Sequence, residues 1–171
     1  MPTPLHVLHI DDSPAILETV KYALGDEMIV DGARSLAEAR EKLERNSYDI
    51  LLVDLGLGDS GGVGTIEALK GYGVPIVVLS GLDDPEILAA AAEAGASDYL
   101  TKPAVTSVTL RSKVKFTHAR HKRQIGQEKQ REMNRQIGAK RKAAFEAVAF
   151  EALKPFISCA DVGSRTPFAR V

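Results

Sequence analysis

The chain has 171 residues, 44% of them hydrophobic, with 22 lysine and arginine residues against 23 aspartate and glutamate residues. That length allows one domain of ordinary size plus an extension, and that composition supports a packed core. The single cysteine, Cys159, excludes an internal disulfide, the Met-Pro-Thr-Pro-Leu-His start is no signal peptide, and no apolar run approaches membrane-spanning length, so a cytoplasmic setting is the expectation.

The elements follow in chain order. Leu5 to Ile10 reads as a short strand that ends in Asp11-Asp12. Ser13-Pro14 then resembles an N-cap with proline in first helical position, and Ile16, Val20 and Leu24 give the helix a core-facing stripe before Gly25 stops it. Met28 to Val30 is a second strand. Ser35 with Glu38 forms a capping box for a second helix whose buried side is Leu36, Ala39 and Leu43. Ile50 to Val53 is a continuous apolar run, the mark of a strand buried on both faces, and Asp54 stands at its exit. Five glycines follow between Gly56 and Gly64, with Asp59 and Ser60 among them, a loop that must bend sharply or approach a ligand closely.

Ile66 to Leu69 belongs to a short third helix that closes near Gly71. Val74 to Leu79 is a fourth strand ending at Ser80. Asp83-Asp84-Pro85 starts an alanine-rich helix closed by Gly95. Asp98 to Leu100 is a fifth strand, followed by Lys102-Pro103 and a fifth helix from Thr106 or Ser107. Strand and helix alternate five times over short connections. That pattern predicts an α/β fold, a doubly wound five-stranded parallel sheet with helices on both faces.

In such a sheet the carboxyl ends of the strands share one edge, where open α/β folds place their chemistry. Asp11, Asp12, Asp54, Ser80 and Lys102 therefore converge there. Three carboxylates in one pocket repel, so either their proton affinities rise or a divalent cation binds among them, and an all-oxygen set suits Mg²⁺. Lys102 offers a movable point charge for a phosphate oxygen, Ser80 a hydroxyl donor, and Asp54 a carboxylate nucleophile.

With these residues the chain resembles the receiver domain of two-component response regulators over roughly residues 3–120. The matching features are Asp11-Asp12 after the first strand, Asp54 ending the third, Ser80 ending the fourth and Lys102-Pro103 after the fifth. Leu57 to Gly62 is similar to the usual loop, with Gly58 where proline is commoner. The resemblance implies a flavodoxin-like fold of strand order 2-1-3-4-5. It implies that Asp54 accepts phosphate from the phosphohistidine of a histidine kinase or histidine phosphotransfer protein. It implies that Asp12, Asp54 and the Gly56 carbonyl bind Mg²⁺, that Asp11 acts partly through water, and that Lys102 and Ser80 hold phosphate oxygens. It further implies a cis Lys102–Pro103 bond and a switch role for Tyr99 alongside Ser80. His6 and His9 are expected to pack at the first strand and not to ligate metal. Gly56 and Leu82, each two residues past a site residue, have no polar side chain to orient water, which predicts slow loss of the phosphoryl group.

Other readings fare less well. Gly56-x-Gly58-x-x-Gly61 has a dinucleotide-binding spacing, but it follows the third strand, beside a carboxylate that would repel a pyrophosphate. A phosphatase using Asp54 would be expected to carry Asp-x-Asp, and residue 56 is glycine. No turnover of an external substrate is expected. A phosphate-independent adaptor, or the receiver part of a longer regulator, remains the rival class.

Charge divides the chain. Residues 1–117 hold ten cationic against eighteen acidic side chains, and residues 118–142 hold nine against two. The expected organisation is a receiver over 1–120, a basic helical extension or linker over 121–154, and a loose tail over 155–171, with Pro155 ending the last helix. The glycines Gly126 and Gly138 weaken that helix by about 1 kcal/mol each. Such an arm allows self-association through the fifth helix and extension, or docking of a downstream protein. It lacks the interleaved aromatics of a nucleic-acid surface, and nothing in it suits a membrane.

Overall fold

The computed structural model describes residues 3–58, 62–81, 84–102 and 105–160, with side chains described up to Pro155. Its strands are β1 (Leu5–Ile10), β2 (Met28–Ala33), β3 (Ile50–Asp54), β4 (Ile76–Ser80) and β5 (Asp98–Thr101). They pair in parallel in the order β2-β1-β3-β4-β5. The helices are α1 (Pro14–Leu24), α2 (Leu36–Arg45), α3 (Gly64–Leu69), α4 (Pro85–Ala94) and α5 (Ser107–Ala160).

Every residue of β3 and β4 is buried, as continuous apolar runs in central parallel strands require. Strand alternation divides the core into two layers. Leu8, Ile10, Leu51, Val53 and Val78 pack with Ala39, Ile66, Leu69 and Ala91 of α2, α3 and α4. Val7, Ile50, Leu52, Val77 and Leu79 pack with Val20 and Leu24 of α1 and with Leu110 and Val114 of α5. Each of these fully buried aliphatic side chains contributes about 1.5–3 kcal/mol relative to exposure.

Helix starts follow the sequence with one correction. Ser35 Oγ accepts from Glu38 N at 3.1 Å, while Glu38 Oε2 reaches back to Arg34 N at 2.8 Å. Asp84 caps α4, accepting from Glu86 N at 2.9 Å ahead of Pro85. Ser13 holds the N-cap position of α1, but its side chain makes no capping bond. Its amide instead donates to Asp11 Oδ1 at 2.9 Å, so the carboxylate before the helix is fixed by the turn. Strand β4 opens at Ile76, two residues later than expected. Pro75 has no N–H for the ladder and contributes only its carbonyl, to Leu51 N at 2.9 Å.

Contacts divide the chain into Met1–Arg123 and Gln124–Val171. The first unit keeps hold of α5 well past Val114. Thr117 is buried, and Asp98 gathers the helix onto β5. Asp98 Oδ1 accepts from Lys113 Nζ at 3.0 Å and from Tyr99 N at 2.9 Å, and Oδ2 accepts from Thr117 Oγ1 at 3.3 Å and from Arg120 at 3.5 Å. Burial pushes the Asp98 carboxyl up, and the Lys113, Tyr99 and Arg120 donors outweigh it, holding it below the ordinary carboxylate range. His121 Nε2 contacts the Gly73 carbonyl oxygen at 3.0 Å.

In the second unit the helix is uninterrupted at Gly126 and Gly138, and it passes through Pro155 to Ala160 where an end was expected. Proline removes one backbone bond and crowds one carbonyl, a cost of about 3 kcal/mol that bends or breaks a helix according to its surroundings. Residues 161–171, the rest of the expected tail, lie outside the described residues.

Replacing Asp98 by alanine should lower stability in urea unfolding by about 1–3 kcal/mol, the cost of stranding several donors around a half-buried acceptor. Glu132→Ala, in the solvated part of α5, should stay within about 0.5 kcal/mol. Equal effects would show that Asp98 does not fasten α5.

Candidate functional site

The exits of β1, β3 and β5 carry Asp11, Asp54 and Lys102 to one edge of the sheet, with Asp54 the last residue of β3. Asp11 is fully buried and Asp54 is 8% exposed. The Lys102 ammonium donates to Asp54 Oδ2 at 2.9 Å and to Asp11 Oδ2 at 3.2 Å. Burial pushes Lys102 down, but these two carboxylates outweigh it and raise the amine above its ordinary value. Asp12 is exposed at the mouth. One oxygen each from Asp11, Asp12 and Asp54 lies within 4.8 Å of the others. Three hard oxygen donors at that spacing, with open sides, fit a divalent cation of the Mg²⁺ kind.

A groove of about 690 Å³ opens beside Asp54, with Ser80, Gly56 and Lys102 among its lining residues. Gly56 closes over the carboxylate. A Cβ there would lie 3.4 Å from Asp54 Oδ2, so any side chain at this position would begin in contact with the carboxylate. Gly62, in the left-handed region at φ 67°, donates its N–H to the Leu55 carbonyl at 2.7 Å and closes the loop. The structure thus brings together Asp11, Asp12, Asp54, Gly56, Ser80 and Lys102. Tyr99 stands apart, 45% exposed on β5 and not among the residues lining this groove. Leu82 and Pro103, and with Pro103 the expected cis bond, lie outside the described residues, as do Asp59 and Ser60.

Two features were missed in the sequence. The groove is also lined by Asp84, the cap of α4, by Glu86, Ile87 and Ala90 of α4, and by Val63. His9, expected to pack, does so in an unusual way. It is fully buried, and neither ring nitrogen has a hydrogen-bond partner among the described residues. Strand alternation places it on the same side as Asp11, one turn of the pleat below the site. Burial and the Lys102 ammonium lower it, against Asp54, to about 4, so the ring is neutral at neutral pH. His6, by contrast, contacts Asp31 Oδ2 and the Ser47 carbonyl oxygen, each at 3.0 Å.

Residues 7–115 match the family model described as the response regulator receiver domain. The KDP operon transcriptional regulatory protein KdpE of Escherichia coli (strain K12) is 37% identical over 100 residues, which cover 57% of this chain and 44% of KdpE. The probable transcriptional regulatory protein TcrX of Mycobacterium tuberculosis is 34% identical over 116 residues, 63% of this chain and 48% of TcrX. The chain therefore spans less than half the length of these curated relatives. Among solved structures, a CheY-like response regulator receiver domain protein from Methanospirillum hungatei JF-1 superposes with a TM-score of 0.65 at 28% identity, over 71% of this chain and 99% of that one. A receiver domain protein from Clostridium thermocellum gives 0.62 at 29%, over 69% and 97%. No described helix is long and apolar enough to cross a membrane.

The His9 ring supplies a pH test. Its folded value, about 4, lies below the ordinary 6.5, so between those values the unfolded chain binds more protons. Stability should be full above about pH 6.5 and decline by up to about 3 kcal/mol as pH falls through 4. The depressed carboxylates Glu27, Asp31, Glu38 and Asp98 contribute only below about pH 5, so the slope between about pH 5 and 6.5 belongs to His9. His9→Leu, of similar volume, should flatten the pH 4–6.5 slope in urea titrations and cost nothing at neutral pH. An unchanged slope would refute the assignment.

Proposed function

The chain belongs to the response regulator receiver family, and from that premise we propose that Asp54 accepts a phosphoryl group from the phosphohistidine of a histidine kinase or histidine phosphotransfer protein. The observation that carries this reading is the Lys102 ammonium bonded at once to Asp54 and Asp11 beside an open groove. Lys102 offsets the charge of Asp54 and orients it, and can then follow the arriving oxygens. Asp11, Asp12 and Asp54 would hold Mg²⁺, with the Gly56 carbonyl as a further ligand. When bound, that ion would offset the charge of the carboxylates and the incoming phosphoryl oxygens. Ser80, among the residues lining the groove, would donate to a phosphoryl oxygen. Nothing in this reading turns over an external substrate.

The output of the reaction is a change in protein–protein interaction. A phosphoryl group adds about −1.5 to −2 charges at the end of β3. It would draw Ser80 and Lys102 toward Asp54 and leave room for Tyr99, now half-exposed, to turn inward. Lys102 follows the strand that Asp98 begins, and Asp98 holds α5, so β5 connects the site to the helix that runs into the basic extension. Self-association or docking of a downstream protein through residues 106–154 is the response this arrangement favours. Only a few kcal/mol of differential binding is needed to shift such an equilibrium. A cytoplasmic setting suits both the kinase and the absence of a disulfide.

With Mg²⁺ and a small phosphodonor such as acetyl phosphate, the chain should gain one acid-stable, base-labile phosphate, seen by intact-mass measurement. Asp54→Asn should abolish it and excess EDTA suppress it. Lys102→Ala should leave Mg²⁺ binding largely intact yet impair the change in association. The phosphate should be lost slowly, since Gly56 orients no water. Light scattering with and without phosphate, on the full chain and on a chain ending at Arg123, should show the change in the full chain alone. Label that persists in Asp54→Asn would sink the site assignment, and identical responses of the two chains would leave the extension a passive linker.

A further inference from the structure

The second unit carries an exposed apolar stripe. Met133, Ile137, Ala144 and Val148 are all exposed, and they recur at spacings of 4, 7 and 4 residues. At about 100° per residue they fall within about 60° of one another around the helix. Met133 to Ala144 and Ile137 to Val148 are both 11-residue steps, a period close to three helical turns. Lys140 and Arg141 border the stripe at mid-length, about 20° beyond either edge. Residues 129–142 hold six cationic side chains against one acidic. Glu132 and Glu146 face Arg135 and Lys142, so Lys129, Arg131, Lys140 and Arg141 are left without an ion pair among the described residues.

Resting on the reading of residues 106–154 as a docking element, we infer that this stripe receives an acidic α-helix of a partner protein, one whose own aliphatic stripe runs between flanking carboxylates. Burial of the stripe supplies the contact, and the cations at its borders choose the occupant. A second copy of the helix is the poorer occupant. Parallel in-register pairing sets Lys140 and Arg141 beside their own counterparts, and antiparallel pairing about the middle of the stripe brings the two 140–142 runs together. Nucleic acid would answer the cations but leave Met133, Ile137 and Val148 in water, and residues 118–142 hold no Phe, Tyr or Trp to stack on a base. An anionic membrane surface meeting the stripe would leave Arg131, Arg135 and Lys142, on the far side of the helix, facing away from it. An acidic helix satisfies both features at once.

The test titrates the full chain against a fluorescent synthetic helical peptide of about three 11-residue repeats, with leucine in the stripe and glutamate on both flanks. A control peptide carries lysine in place of glutamate. By fluorescence anisotropy the glutamate peptide should bind about tenfold more tightly at about 50 mM salt, and the difference should shrink at about 500 mM. The double variant Lys140→Glu, Arg141→Glu should reverse the preference, and Ile137→Ser should weaken the glutamate peptide by about tenfold. Equal binding of the two peptides overturns the proposal. So does tighter binding of duplex DNA, of anionic lipid vesicles or of a second copy of the chain than of the glutamate peptide. Repeating the titration after treatment with acetyl phosphate and Mg²⁺ separates this site from its coupling to Asp54. Binding that phosphate leaves unchanged keeps the acidic-helix site and sinks the coupling, whereas no binding in either state overturns the site and leaves the coupling to the light-scattering comparison.

Discussion

One ammonium group holds the site in its present form. Lys102 stands between two buried carboxylates, at 2.9 Å from Asp54 and 3.2 Å from Asp11. Without it, Asp11 and Asp54 would face each other as like charges at close range in a poorly hydrated place. The lysine offsets that repulsion and orients both carboxylates. Being a compact charge on a flexible stem, it can also exchange a carboxylate for another oxygen without rebuilding the site. The sheet provides the rest of the constraint. Asp11, Asp54 and Lys102 stand at the exits of three different strands, and only a parallel arrangement brings all three exits to the same edge.

Strand β5 is short and anchored at both ends by charge. Asp98 opens it and holds Lys113, Thr117 and Arg120 of α5; Lys102 follows it and holds Asp11 and Asp54. A four-residue strand thus links Lys102 to the carboxylate that fastens the helix. Tyr99 lies between the two anchors, its own N–H bonded to Asp98. Coupling by this route requires no long chain of contacts, which makes it open to direct measurement at Asp98.

The strands and the chemistry at their exits were legible because both rest on short-range rules. Ile50 to Val53 can only be a buried strand, and Asp54 can only stand at its end. Asp11, Ser80 and Lys102 follow by the same logic, and the observed strand order agrees with what the family resemblance implied. Local caps were legible for Ser35 and Asp84, but Ser13 misled: its side chain makes no capping bond, and its own amide is held by Asp11. The grip of Asp98 on α5 could not be read, because Lys113, Thr117 and Arg120 look like ordinary solvated residues until the helix is laid on β5. His9 had a signal that was passed over. It alternates with Asp11 on a buried strand, where an imidazole has no backbone donor or acceptor left to meet.

The two units are held by different forces. Residues 1–123 fold around two apolar layers. In the second unit the interactions found are local to the helix: Gln130 donates to Asn134 at 3.1 Å, Gln136 to Glu132 at 3.2 Å, and Arg135, Lys142 and Lys154 each face a glutamate one turn away. Exposed pairs of this kind add only about 0.2–0.5 kcal/mol each. Two glycines in open space and Pro155 work against them. Met133, Ile137, Phe145, Val148, Phe150 and Leu153 meanwhile remain exposed. The helix over this segment therefore rests on local pairs and intrinsic propensity, and not on an apolar face packed against another element among the described residues. The layered sheet, by contrast, is held by burial.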